Sequence, residues 1–176
     1  MSGHNRWSQI KHKKAASDAK KSNAYAKLIR AITIAARAGI DPTSNLRLKA
    51  EIERARAVNM PTDTIERALE RVRGSADAQL QEMTIELIGP SGTGILIEAI
   101  SESTNHTMQE VKNVIAKTSA KIVPPGSTSW MFERHDGVLL PVAPIEVPIE
   151  TRRSIESLVQ QLEALDDICH VTTTIS

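Results

Sequence analysis

The apolar residues of this chain change their period part-way along it. As far as Val72 they recur three and four positions apart, and from Met83 they recur at every second position. The first spacing lines one face of a helix and the second lines one face of a strand, so a helical part precedes a part built on a sheet. Between the two runs the polar stretch from Ser75 to Gln81, behind Gly74, a residue suited to the left-handed conformation that ends a helix. The change predicts two domains, residues 1–76 and 80–176. A length of 176 residues allows two modest cores, and 40% hydrophobic with 24% charged residues is the balance of a globular chain.

In the first part, Tyr25, Leu28, Ile29, Ile32 and Ala36 mark one helix, stopped by Gly39 and Asp41-Pro42. Leu48, Ile52 and Ala55 mark a second, which starts near Asn45 and ends by Asn59 because Pro61 follows. Ile65, Ala68, Leu69 and Val72 mark a third, starting at Asp63 with Glu66 in capping-box register. In the second part, Met83, Ile85 and Leu87 and then Ile95, Ile97 and Ala99 read as half-buried strands joined by a hairpin connection through residues 89–94. Thr107 with Glu110 is expected to cap a helix carrying Met108, Val111, Val114 and Ile115. A second strand pair, Trp130 to Arg134 and Val138 to Val142, turns at Asp136-Gly137. Pro141, Pro144 and Pro148 then interrupt regular sheet, Ile155 to Leu165 form the last helix, and Ile168 to Ile175 finish the sheet. The expected fold is α+β: an N-terminal three-helix bundle, then a mainly antiparallel α/β sheet domain with two helices. The sheet is expected to be continuous, with the last strand paired inside it.

Charge divides at the same place as period. Residues 1–74 hold 16 Lys/Arg against 7 Asp/Glu, a net of +9, and residues 75–176 hold 6 against 14, a net of −8. Clustered cations gain by releasing counterions from phosphates, so the basic half points to a polyanion partner and the acidic half does not. Residues 1–30 hold eight Lys/Arg against Asp18 alone, beginning with an arm of Arg6, Lys11, Lys13 and Lys14. The basic character continues onto the first helix through Lys20, Lys21, Lys27 and Arg30. Arg67 and Arg71, at i and i+4 on the third helix, are a like-charge pair that an intervening phosphate relieves. Trp7 offers an aromatic face, either for stacking on a base or for packing on its own bundle.

Little else in the sequence suggests chemistry. The glycine-rich 89–94 segment lacks the Lys-Ser/Thr pair of a phosphate loop. His4, His12, His106, His135 and His170 read as solvated or locally bonded, and no metal or other cofactor is expected. Asp166 and Asp167 read as residues solvating a turn, and Cys169 as a small buried hydrophobe. One cysteine excludes an internal disulfide and fits a reducing compartment, and neither a membrane span nor a signal peptide is expected. The expectation is a cytoplasmic, non-enzymatic protein without a membrane partner.

The opening residues Ser2-Gly3-His4-Asn5-Arg6-Trp7-Ser8-Gln9-Ile10-Lys11-His12-Lys13-Lys14-Ala15-Ala16 closely resemble those of the YebC/PmpR family. The likeness continues through Lys27-Leu28-Ile29-Arg30, Ala35-Ala36-Arg37 and the run from Asn59 to Ala68. It resumes at Phe132-Glu133-Arg134 with Asp136-Gly137, interrupted by His135, and at Leu162-Glu163-Ala164-Leu165-Asp166-Asp167. The resemblance implies a helical first domain and two α/β domains, the third inserted within the second. Here Val142 runs through a short Pro-rich link into the final helix, so the third domain is expected to be missing.

By the same resemblance the chain is a nucleic-acid-binding regulator, either a DNA-binding transcriptional regulator or a ribosome-associated translation factor that eases synthesis through difficult stretches. A protein-interaction module with an incidental basic arm is a third reading. The arm suits the irregular surface of ribosomal RNA, and the bundle lacks a clear recognition helix, which favours RNA and the ribosome over DNA. The resemblance assigns phosphate and base contacts to His4, Trp7, Lys11, His12, Lys13, Lys14, Lys20, Lys27 and Arg30. It makes the turn Asn59-Met60-Pro61 a second contact, for which a plain interhelix turn is the alternative.

Overall fold

The computed structural model describes residues 21–73 and 79–176. Helix α1, described over residues 21–36, is followed by α2 (Leu46–Ala57) and α3 (Thr62–Arg73). Asn45 joins the first two: its side-chain oxygen accepts from the Leu48 amide at 3.0 Å, and its Nδ2 donates to the carbonyls of Ala35 at 2.8 Å and Gly39 at 2.7 Å. One side chain thus caps the start of α2 and satisfies carbonyls at the end of α1. Ile32, Ala36, Leu48, Ile52, Met60 and Ile65 belong to the core that the three helices share. Small alanines at Ala35, Ala55 and Ala68 are buried among them.

The second part builds on β1 (Gln81–Ile88) and β2 (Gly94–Ser101), antiparallel with Ile85 opposite Ile97. Helix α4 (Thr104–Ile115), β3 (Lys121–Ile122), β4 (Phe132–His135), β5 (Val138–Pro141), α5 (Ile149–Glu163) and β6 (Ile168–Thr173) follow. The main sheet has the order β3-β1-β2-β6, and β4 and β5 form a separate two-stranded sheet. The single continuous sheet expected from the sequence is therefore two, and β6 lies at an edge. Pairing of β4 and β5 with each other is satisfied by their own tight turn, where Asp136 and Gly137 take φ of 48° and 83°. Helix α4 starts at Thr104, before the expected cap at Thr107; Thr107 is buried inside the first turns.

Strand β2 is buried along all eight residues. Ile95, Ile97 and Ala99 face the core made with Val111 of α4 and Ile155, Leu158 and Leu162 of α5. The opposite face was expected to be solvated, yet Ile100 packs with Ala31 and Ile34 of α1. Glu98 on the same face takes Arg134 Nη2 at 2.5 Å. The first domain and the β4–β5 hairpin thus cover the far side of the sheet. The hairpin tip touches α2: a Cβ on Gly137 would collide with the Leu46 carbonyl.

Glu86 is the other buried acid of this sheet, and one loop surrounds it. The amides of Gly126 (2.7 Å), Thr128 (2.6 Å) and Ser129 (2.9 Å) and the Thr128 hydroxyl (3.1 Å) all donate to its carboxylate. Burial pushes the acid upward, and the hydrogen bonds from Thr128, Gly126 and Ser129 outweigh it, holding it at about 2. A carboxyl held below its ordinary 4.5 stabilises the fold fully above that value and loses this contribution as pH falls towards 2. Urea titrations between pH 2 and 7 should therefore show a stability limb over that window that Glu86→Gln flattens. Ending the chain at Asp167 removes β6 from beside β2, and the shortened protein should lose its cooperative thermal transition, as followed by near-ultraviolet circular dichroism.

Candidate nucleic-acid interface and the domain junction

The described cations of the expected contact set fall into two groups. Lys21, Arg67 and Arg71 are exposed. The Lys21 ammonium sits 5.7 Å from the centre of the Tyr25 ring, and the Tyr25 hydroxyl donates to the Asn59 carbonyl at 2.8 Å. The first described turns of α1 therefore rest on the α2–α3 turn. Asn59 is exposed there with a φ of 58°, the left-handed conformation that reverses the chain. Arg67 and Arg71 share the exposed surface of α3 with Asp63, Glu66 and Glu70.

Lys27 and Arg30 form the second group, and they face the second domain. Lys27 Nζ donates to the Glu163 carbonyl at the end of α5. Arg30 Nη1 reaches Asp167 Oδ1 at 2.9 Å and the Asp166 carbonyl at 3.1 Å. Burial lowers the pKa of the Lys27 ammonium, against the opposing pull of the Asp166 and Glu163 carboxylates. Met60, expected as part of a contact turn, is only 5% exposed and fills the bundle core. It is a core residue because its amide bonds back to the Ala55 carbonyl at 2.9 Å, which turns the side chain under the helices. His4, Trp7, Lys11, His12, Lys13, Lys14 and Lys20 lie outside the described residues.

Asp167, read from sequence as a residue solvating a turn, is the central acid of the junction. It pairs with Arg30, and its other oxygen accepts from the Thr107 hydroxyl at 2.7 Å. Burial raises its pKa, and bonds from Thr107 and Ser101 together with the Arg30 charge more than reverse this, leaving it lowered. A second polar knot joins α2 to β6: buried Glu51 lies 3.0 Å from His170 Nε2 and 2.6 Å from Arg54 Nη1. Burial pushes Glu51 up, but His170, Arg54 and Arg47 hold its pKa below the ordinary value. Arg47 pairs with Glu82 across the same junction. Cys169 is half-buried beside Ala31, Ile34 and Ile100, and burial pushes its thiol to about 12, so it stays protonated.

His106, expected to lack a carboxylate neighbour at i, i+4, has one in Glu110, with the two side chains 3.5 Å apart. With Asp167 they bring three donor atoms within 4.8 Å of one another. Arg30 and Thr107 already occupy the Asp167 oxygens, so this cluster is knit by its own hydrogen bonds and ion pairs.

The profile of the TACO1/YebC protein N-terminal domain matches residues 5–75, and that of the TACO1/YebC second and third domain matches residues 80–139. A Pseudothermotoga lettingae protein is 37% identical over 179 aligned positions, covering 99% of this chain and 70% of that protein. The chain belongs to the TACO1/YebC family. Further relatives come from Petrotoga mobilis, 45% identical over 148 residues, and Kosmotoga olearia, 43% over 143. The matched regions cover 83% and 80% of this chain but only 59% and 57% of those two proteins. All three relatives carry the name "Probable transcriptional regulatory protein". The crystal structure of a conserved hypothetical protein from Aquifex aeolicus has the same fold, with a TM-score of 0.72 at 22% identity over 90% of this chain and 91% of that one. In this member of the family β5 passes to α5 through residues 142–148 alone, which leaves no inserted third domain between them.

The two roles seen in the first domain separate experimentally. Met60→Ala should lower stability in urea denaturation by about 2–5 kcal/mol, the range for truncating a buried long side chain. Arg67→Ala with Arg71→Ala, both exposed, should leave stability within about 0.5 kcal/mol for each substitution.

Proposed function

We propose that the protein is a non-enzymatic, nucleic-acid-binding regulator of gene expression that works on the ribosome through ribosomal RNA, as a translation factor easing synthesis of difficult stretches. The observation that carries this reading is the division of charge, +9 before the linker and −8 after it. A phosphate backbone is drawn to the first part and repelled by the second. The contact set proposed is the arm, with His4, Trp7, Lys11, His12, Lys13, Lys14 and Lys20, continued by Lys21, Asn59, Arg67 and Arg71. The packing of Tyr25 on the Asn59 turn supports this grouping, because it brings the helix that follows the arm to that turn.

The names of the relatives favour a second reading, regulation of transcription by binding duplex DNA. The bundle is poorly suited to reading a major groove. A recognition helix enters the groove by its N-terminal residues, and the first turn of α3 holds Asp63.

Co-sedimentation with ribosomal subunits across a salt series tests the proposal. Association should be strong at low salt, weaken steeply as salt rises, and disappear with Lys11→Glu, Lys13→Glu and Lys14→Glu together. Random and selected DNA duplexes should bind alike in the same buffers, since base-edge contacts worth about 1–3 kcal/mol each are not expected. A defined duplex site bound far above random duplex, without ribosome association, would establish the transcriptional reading instead.

A further inference from the structure

Asn23, Lys27 and Arg30 lie four and three positions apart on α1, one stripe of the helix. The side chains of this stripe bond in the second domain to oxygens of one short segment, residues 163–167. Asn23 Nδ2 donates to Asp166 Oδ1 at 2.8 Å, Lys27 to the Glu163 carbonyl, and Arg30 to the Asp166 carbonyl and Asp167 Oδ1. The segment starts at the last residue of α5, at the negative pole of the helix. It offers a row of partly and fully anionic oxygens, the chemistry that a nucleic-acid backbone offers with its phosphates.

The junction that holds this row is loosely filled. Its apolar part consists of Ala31, Ile34 and Ile100 with Leu80 and Cys169 at the margin. A cleft of about 400 Å³ opens between α1, α2 and β6, bordered by Leu28, Val58 and His170. Another of about 500 Å³ lies between α1 and α5 beside Lys27 and Glu163. The hydrogen bonds of the stripe lie beside these clefts, at the margin of the contact, and part at modest cost while Ile100 stays packed on Ala31 and Ile34.

We propose that Asn23, Lys27 and Arg30 form a latent phosphate-binding stripe, held in the closed chain by the 163–167 segment acting as an internal stand-in for a nucleic-acid backbone. The inference rests on the nucleic-acid-binding reading above. In the closed form the acidic domain competes with nucleic acid for these groups. When the α1 side of the junction opens, the stripe extends the basic surface beyond the arm, so the second domain sets how many phosphates the first can hold.

The test uses the full chain and a fluorescent 20-nucleotide oligouridylate, with affinity followed against salt. Asp166→Asn with Asp167→Asn should raise affinity several-fold at low salt. It should also steepen the slope of log affinity against log salt by about 1.4, about 0.7 for each of the two phosphates gained. Adding Lys27→Gln and Arg30→Gln to that variant should remove both gains. Because Asp167 also holds Thr107, a second arm of the experiment leaves it in place. Asn23→Cys and Asp166→Cys are joined by a reducible bismaleimide linker in a Cys169→Ser background. The joined chain should show the shallower slope and the cleaved chain the steeper one. Binding by the unaltered chain, with slopes unchanged both in the charge variant and on cleavage, overturns the latent stripe alone. Absence of binding by every form at low salt overturns the nucleic-acid reading together with it.

Discussion

Burial of β2 on both faces is the constraint on which the rest of the architecture depends. One face, with Ile95, Ile97 and Ala99, needs α4 and α5; the other, with Ile100 and Glu98, needs α1 and the β4–β5 hairpin. A strand of eight buried residues leaves its sheet no solvated side at the centre, so the helical part must dock on it. α1 answers this demand with six consecutive buried residues, 31–36. Ile32, Ala35 and Ala36 serve the bundle, while Ala31 and Ile34 serve the sheet. The helix is buried on two sides because it belongs to two cores.

Docking two parts of opposite charge gives the junction its polar character. Arg30 with Asp167, Arg47 with Glu82, and His170 with Glu51 and Arg54 all draw on groups brought together by that contact. Buried or half-buried acids are kept ionised there by neighbouring cations and hydroxyls, as the lowered pKa of Asp167 and Glu51 records. Such pairs add little net stability, since desolvation offsets most of their attraction, but breaking one partner leaves the other charge uncompensated. They therefore specify how the two parts meet more than how strongly they hold. The cations that make the junction are engaged by acids and carbonyls of the second part, which leaves Lys21, Arg67 and Arg71 as the exposed cations of the predicted contact set among the described residues.

The direct passage from β5 to α5 shows how the sheet domain closes without an inserted domain. After β5 the Val142 amide still bonds to the Met131 carbonyl at 2.8 Å, extending the hairpin by one step. Ile145 then pairs with Ile175 in a parallel bridge, its amide donating to the Thr174 carbonyl at 2.6 Å. Thr174 in turn holds the start of β2, its hydroxyl accepting from the Gly94 amide at 3.0 Å. The proline-rich link is thereby tied to the end of β6, and Pro148 leads straight into α5.

How far the sequence could be read depended on whether a feature was local. The helix periods, the stop at Gly39, the Asn45 start, the Asp136-Gly137 turn and the change of period at the linker are written in neighbouring residues, and the elements they predict are those of the structure. Charge division and the opening motif likewise needed only the chain, and the motif pointed to the family. Burial of the far face of β2 was visible only as an apolar run, Gly94 to Ile100, broken by Glu98 alone, which alternation made half-buried. Its meaning depended on what would lie over it. The roles of Lys27, Arg30, Met60 and Asp167 were of the same kind. Each is an ordinary helix or turn residue in sequence, and each was assigned by a partner more than a hundred positions away or, for Met60, by packing beneath a reversed turn. A sequence determines period, capping and charge because these act over a few residues. Which cations remain free for a ligand was decided by tertiary contact, because an acid brought across by folding satisfies a cation as completely as a phosphate would.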